Sequence, residues 1–80
     1  MPNPTSFQRH PSLIALGEAI RELRKEQGIS QEKLALLADI DRGYIGRVER
    51  GQNNVAILTL IKIANALNIE VAQLVKKARL

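Results

Sequence analysis

The chain is predicted to be all-α, a compact five-helix bundle, on three observations. From residue 12 onward apolar residues recur at helical spacing. No stretch of strand length alternates with period two, and capping and turn residues divide the segment into five short lengths. The first eleven residues differ: they hold all three prolines and show no periodicity. Residues 1–11 therefore read as a flexible N-terminal tail and residues 12–80 as one domain.

Helix one is expected over residues 12–27, with Ser12 as N-cap and Leu13, Leu16, Ile20 and Leu23 as an apolar stripe. Gly28 supplies a left-handed stop. Ser30 caps helix two over residues 31–38, with Leu34, Ala35 and Leu37 facing inward. Asp39 and Ile40 make a tight turn, and Asp41 caps helix three over residues 42–50, which Gly51 ends. Gln52, Asn53 and Asn54 form a polar loop. Helix four spans residues 56–67, with Ile57, Leu60, Ile61, Ala64 and Leu67 as its buried stripe, and helix five spans 71–78.

Composition excludes more than it assigns. Eighty residues allow one modest core. Twelve Lys and Arg against eight Asp and Glu leave a net charge of +4, which favours a polyanionic partner. Without cysteine there is neither a disulfide frame nor a thiolate metal site. The single histidine, His10, lies in the tail, and no Ser, Asp or Glu is spaced as a nucleophile with its base. An enzyme, a metal site and a small-molecule cofactor are therefore not expected. One Tyr, one Phe and no Trp speak against a base-stacking surface for single strands. No apolar run approaches the roughly 18 residues of a membrane span, and no signal-peptide stretch opens the chain, so a cytoplasmic protein is expected.

Helix three carries the informative chemistry. At 100° per residue, Arg42, Gly43, Gly46, Arg47 and Arg50 share one arc of about 140°. Ile45 and Val48 lie opposite, and Tyr44 and Glu49 sit at the borders. Two short capped helices at a fixed angle, the second with a basic outer face, suit insertion into the major groove of DNA. Arginine pairs bidentately with guanine O6 and N7 and also grips phosphates. The two glycines each cost about 1 kcal/mol relative to alanine in a helix. Either they clear a close approach to the groove floor, or packing tolerates them. Singly, each arginine also reads as a surface charge, and Arg50 as a complement to the helix dipole. Arg9 and His10 make the tail either a groove-seeking arm or plain disorder.

Residues 30–51, SQEKLALLADIDRGYIGRVERG, resemble the helix-turn-helix of the Cro/CI-like XRE family of bacterial and phage repressors. The framework residues are Gln31, Leu34, Ala35, Ile45, Val48 and the closing Glu49-Arg50-Gly51. The likeness extends over roughly residues 13–75. It implies a lambda-repressor-like bundle and a small transcriptional regulator that binds double-stranded DNA. It further implies base contacts from Arg42, Gly43 and Arg47. DNA-backbone contacts are implied for Gln31, Tyr44, Arg50, Asn53 and Asn54, although Tyr44 also reads as a border of the core. Arg24 and Glu49 match a partly buried salt bridge of the family, with two independent surface charges as the alternative. Two positions depart from the pattern. Asp39 stands where a turn glycine is usual, and Ala56 replaces a capping hydroxyl, so Asn54 is expected to cap helix four. The small size resembles restriction–modification controller proteins.

Helices four and five carry more apolar residues than a small monomer easily buries. Leu67, Ile69, Val71, Leu74 and Val75 are the expected homodimer interface, on a palindromic operator. The alternatives are monomeric core packing, or an antitoxin-like protein-interaction module using the same surface.

Overall fold

The computed structural model describes residues 10–80 and contains five helices among them. These are α1 (Pro11–Glu26), α2 (Gln31–Ala38), α3 (Arg42–Glu49), α4 (Ile57–Ala66) and α5 (Val71–Lys77). The tail reading falls on residues 1–9, outside the described residues, and on His10 and Pro11, which instead open α1. His10, not Ser12, is the N-cap: its Nδ1 accepts the Ser12 amide at 3.1 Å. Pro11 fits as the first helical residue because its missing N–H would be unpaired there in any case.

All five helices close in one way. The residue beyond the last turn is left-handed (Gly28, Asp39, Gly51, Asn68 and Arg79, φ from 57° to 73°). The next amide then reaches back five residues, as Ile29 does to the Arg24 carbonyl at 3.2 Å and Ile40 to that of Ala35 at 2.9 Å. These bonds satisfy carbonyls that the helix end would leave open. Asp39 thus takes the left-handed position itself, at φ 57° and ψ 49°.

α1 packs on α3 and α5, α2 on α3 and α4, and α4 on α5. The core joins Leu16, Ala19 and Ile20 to Leu34, Ala35, Ile45 and Val48. It continues through Leu60, Ile63, Ala64, Leu67 and Leu74. Leu13 and Leu23 are only half-buried at the ends of the α1 stripe. Two inward assignments shift. On α2, Ala38 is buried and Leu37 is 51% exposed. On α4, Ile57 and Ile61 are 61% and 37% exposed, and the buried arc runs through Leu60, Ile63, Ala64 and Leu67. The cause is that α4 is amphipathic, with Thr59, Lys62 and Asn65 on its polar side, but its apolar arc is wider than the surface that α2 and α5 cover, so Ile57 and Ile61 at the edge of that arc stay exposed. Asn54 does not cap α4; Ala56 holds that position without a side-chain bond.

α1 crosses α3 at Gly17, where a Cβ would stand 2.6 Å from the Glu49 carbonyl oxygen and closer still to that of Val48. The two backbones touch with no side chain between them. Gly17→Ala is therefore expected to destabilise the fold by about 1–3 kcal/mol through overpacking. Urea unfolding measures it, and an unchanged midpoint would refute this account of the crossing.

Candidate nucleic-acid interface

The site begins with two side-chain caps. Ser30 Oγ accepts the Lys33 amide at 3.0 Å, and Asp41 Oδ2 accepts the Tyr44 amide at 3.1 Å. Each spends an otherwise orphaned helix-start donor and sets where its helix begins. Ile45 and Val48 are buried, which turns Arg42, Gly43, Arg47 and Arg50 outward, all exposed. Tyr44 is half-buried at the border and packs against the core.

The orientation of α3 is held by a buried ion pair. Arg24 Nε donates to Glu49 Oε2 at 2.7 Å and Nη2 donates to Oε1 at 3.0 Å, a two-pronged contact between α1 and the end of α3. Arg24 Nη1 donates to the Ile29 carbonyl at 3.0 Å. Gln31 Nε2 donates to Glu49 Oε1 at 2.9 Å, which brings α2 into the same network. No buried side-chain nitrogen or oxygen is left without a partner among the described residues. Gln31, expected to meet the DNA backbone, thus also braces the helix pair. Its place at the first turn of α2 gave no sign of that, because the link depends on how the two helices cross.

The two outward glycines have different surroundings. Above Gly46 a Cβ would lie 3.2 Å from Arg50 Nη1 and 3.8 Å from Gln31 Oε1, so that backbone is covered and Gly46 is buried. It does not clear an open approach. Above Gly43 a Cβ would lie 2.9 Å from Asp41 Oδ2 and 3.6 Å from Arg47 Nη1. The Arg47 guanidinium carbon stands 5.7 Å from the Tyr44 ring centroid, within cation–π range. That pairing was readable, since residues three apart are neighbours on a helix surface. Arg50 Nε donates to Gln52 Oε1 at 3.2 Å. Asn53 is half-buried and Asn54 exposed in the loop after α3.

The expected dimer residues divide. Leu67 and Leu74 are fully enclosed in the core of one chain, whereas Ile69, Val71 and Val75 are half-buried against it. More exposed apolar surface lies on the outer arc of α4, where Ile57, Leu58 and Ile61 fall within about 100° of one another. Leu58 is 71% exposed. Leu36 and Leu37 on α2 are also exposed. No single helix is long and apolar enough to cross a membrane among the described residues.

Comparison with known proteins places this geometry. Residues 20–74 match the helix-turn-helix family. The chain is 44% identical over 62 residues to the control protein C.SmaI of Serratia marcescens, covering 78% of this chain and 74% of that one. It superposes on the restriction–modification controller protein C.AhdI of Aeromonas hydrophila with a TM-score of 0.80 and 48% identity, over 81% of this chain and 98% of that one. A nucleoprotein complex of C.Esp1396I aligns with a TM-score of 0.73 at 31% identity, over 84% and 92% of the two chains.

Removing one member of the buried pair strands the other. Glu49→Gln is expected to cost about 3 kcal/mol, and replacing both members together (Arg24→Met with Glu49→Leu) to cost less than that single change. Chemical unfolding of the three proteins checks this. A loss under about 1 kcal/mol for Glu49→Gln would show that the bridge does not hold the arrangement.

Proposed function

Because the chain belongs to the helix-turn-helix family of Cro/CI-like, XRE-type regulators, we propose that it is a sequence-specific double-stranded-DNA-binding protein. In this reading it is a small transcriptional regulator of the controller type, acting in the cytoplasm and not as an enzyme. The observation that carries it is the exposed arginine face of α3, held by the buried Arg24–Glu49–Gln31 network. α3 enters the major groove, where Arg42 and Arg47 meet base edges and the Gly43 backbone passes close by. Gln31, Tyr44, Arg50, Asn53 and Asn54 meet phosphates, which position the helix without reading sequence.

The regulator acts as a homodimer, and the outer arc of α4, centred on Ile57, Leu58 and Ile61, is the surface that joins the two copies. An exposed apolar arc beside a basic reading helix suits a two-fold contact that sets two α3 helices about 34 Å apart on a palindromic operator.

Selection from randomised duplex DNA supplies the operator for testing. On it, Arg42→Ala and Arg47→Ala each weaken specific binding by ~1–3 kcal/mol and relax base preference. Wild-type affinity falls about a thousandfold between about 50 and 200 mM salt, as for about six phosphate contacts. Unchanged binding by the double variant refutes the reading face, and a salt-independent interaction points to a protein partner instead. Leu58→Glu is expected to give a folded monomer by sedimentation at micromolar concentration. A wild-type chain that stays monomeric with and without DNA sinks the dimer.

A further inference from the structure

Arg47 stands apart from the other outward arginines in how it is held. Side chains on a helix lean toward its N-terminus, so residue 47 extends over residues 43 and 44 of the preceding turn. At 43 there is no side chain, and Arg47 Nη1 lies within contact distance of that turn, 3.6 Å from where a Cβ would be. At 44 the tyrosine ring flanks the guanidinium at 5.7 Å. The Asp41 carboxylate also borders this turn, 2.9 Å from the same point above Gly43, and its Oδ2 is held by the Tyr44 amide. Ile40, Asp41, Tyr44, Arg47 and Thr59 line one shallow groove, so the ring that meets Arg47 is itself seated. The Arg42 side chain, by contrast, makes no hydrogen bond, ion pair or ring contact among the described residues.

We propose that Gly43 and Tyr44 form a seat that pre-positions the Arg47 guanidinium, and that this seat sets a guanine preference at one base pair of each half-site. The inference rests on α3 being the DNA-reading helix. A guanidinium drawn over an aromatic ring by its charge, as Arg47's is over Tyr44, spends none of its N–H donors on that contact and keeps them for the fork that matches guanine O6 and N7. A side chain already held near its bound geometry loses less rotamer freedom on binding, and a misaligned base then cannot be met by reorientation. Gly43 keeps the strip between the Asp41 carboxylate and Arg47 open: a Cβ there would press on Asp41 Oδ2 at 2.9 Å and touch Arg47 Nη1 at 3.6 Å, and any longer side chain would compete with the guanidinium for the same strip. Tyr44 is a positioning residue whose ring, not its hydroxyl, carries the effect.

The test is base preference, position by position, from selection on randomised duplexes with the full chain. Wild type enriches guanine at the position that Arg47 reads in each half-site, and Arg47→Ala loses the preference there while leaving the position that Arg42 reads unchanged. Tyr44→Leu weakens it roughly tenfold at the same position and adds nothing there in the Arg47→Ala background. Tyr44→Phe, which keeps the ring, retains it. Thermal unfolding checks that Tyr44→Leu folds; where it does not, Tyr44→Met, which also removes the ring while filling the half-buried border, takes its place with the same expected loss. Guanine preference kept at that position in the ring-less variant, or kept there in Arg47→Ala, overturns the seat. A wild-type chain that enriches no sequence at all would instead defeat the DNA-binding reading beneath it.

Discussion

The structure depends on one carboxylate. Glu49 sits at the last turn of α3, out of water, and accepts two hydrogen bonds from Arg24 on α1 and one from Gln31 on α2. Burying such a pair costs desolvation that its Coulomb attraction scarcely offsets, so its value is not chiefly stability. Its value is geometric. A hydrophobic contact between helices tolerates sliding and rotation, whereas three directional bonds onto one carboxylate allow one arrangement. The second helix of the pair is thereby held in register with the first, and both with α1.

Around that lock the chain divides its faces cleanly. α3 gives Ile45 and Val48 to the core and its arginines to solvent, and α4 gives Leu60, Ile63, Ala64 and Leu67 to the core while Ile57, Leu58 and Ile61 stay outside. An exposed basic face and an exposed apolar face on one small rigid body are different kinds of surface, suited to different partners. The core between them fixes their mutual angle. Charge is sorted as well: Lys77 on α5 reaches Glu22 and Glu26 on α1 at 3.4 and 3.5 Å, so this acidic side is met by a cation from within the fold.

Much of this was legible where local chemistry decides the outcome. Ser30 and Asp41 announce helix starts because a short oxygen-bearing side chain has little else to offer there, and Gly28 and Gly51 announce ends. The inner and outer faces of α3 follow from its mixed composition. Legibility failed where an apolar arc is wider than the surface that covers it. On α4 the polar side (Thr59, Lys62, Asn65) shows where the centre of the buried face lies, but only its neighbours decide that Ile57 and Ile61 at the margin stay outside. Leu37 and Ala38 pose the same ambiguity on α2, as do Leu67 and Leu74, expected from the sequence at a dimer seam, whose hydrophobicity serves the chain's own interior. The Arg24–Glu49 pairing came from family resemblance alone, since 25 residues of sequence separate the partners. The proximity of Arg50 and Gln31 above Gly46 needed coordinates, because it joins the ends of side chains from two helices.

Gly17 gives the last consequence. Where side chains interdigitate, small rotamer changes absorb motion between helices. Where bare backbones touch, as α1 and α3 do at Gly17, there is nothing to give way. The orientation of the basic helix is thereby tied to that of the long first helix by backbone contact, not by adjustable side chains. A protein this small has little area to spend on capturing a ligand, so entropy removed during folding is entropy that association need not remove again.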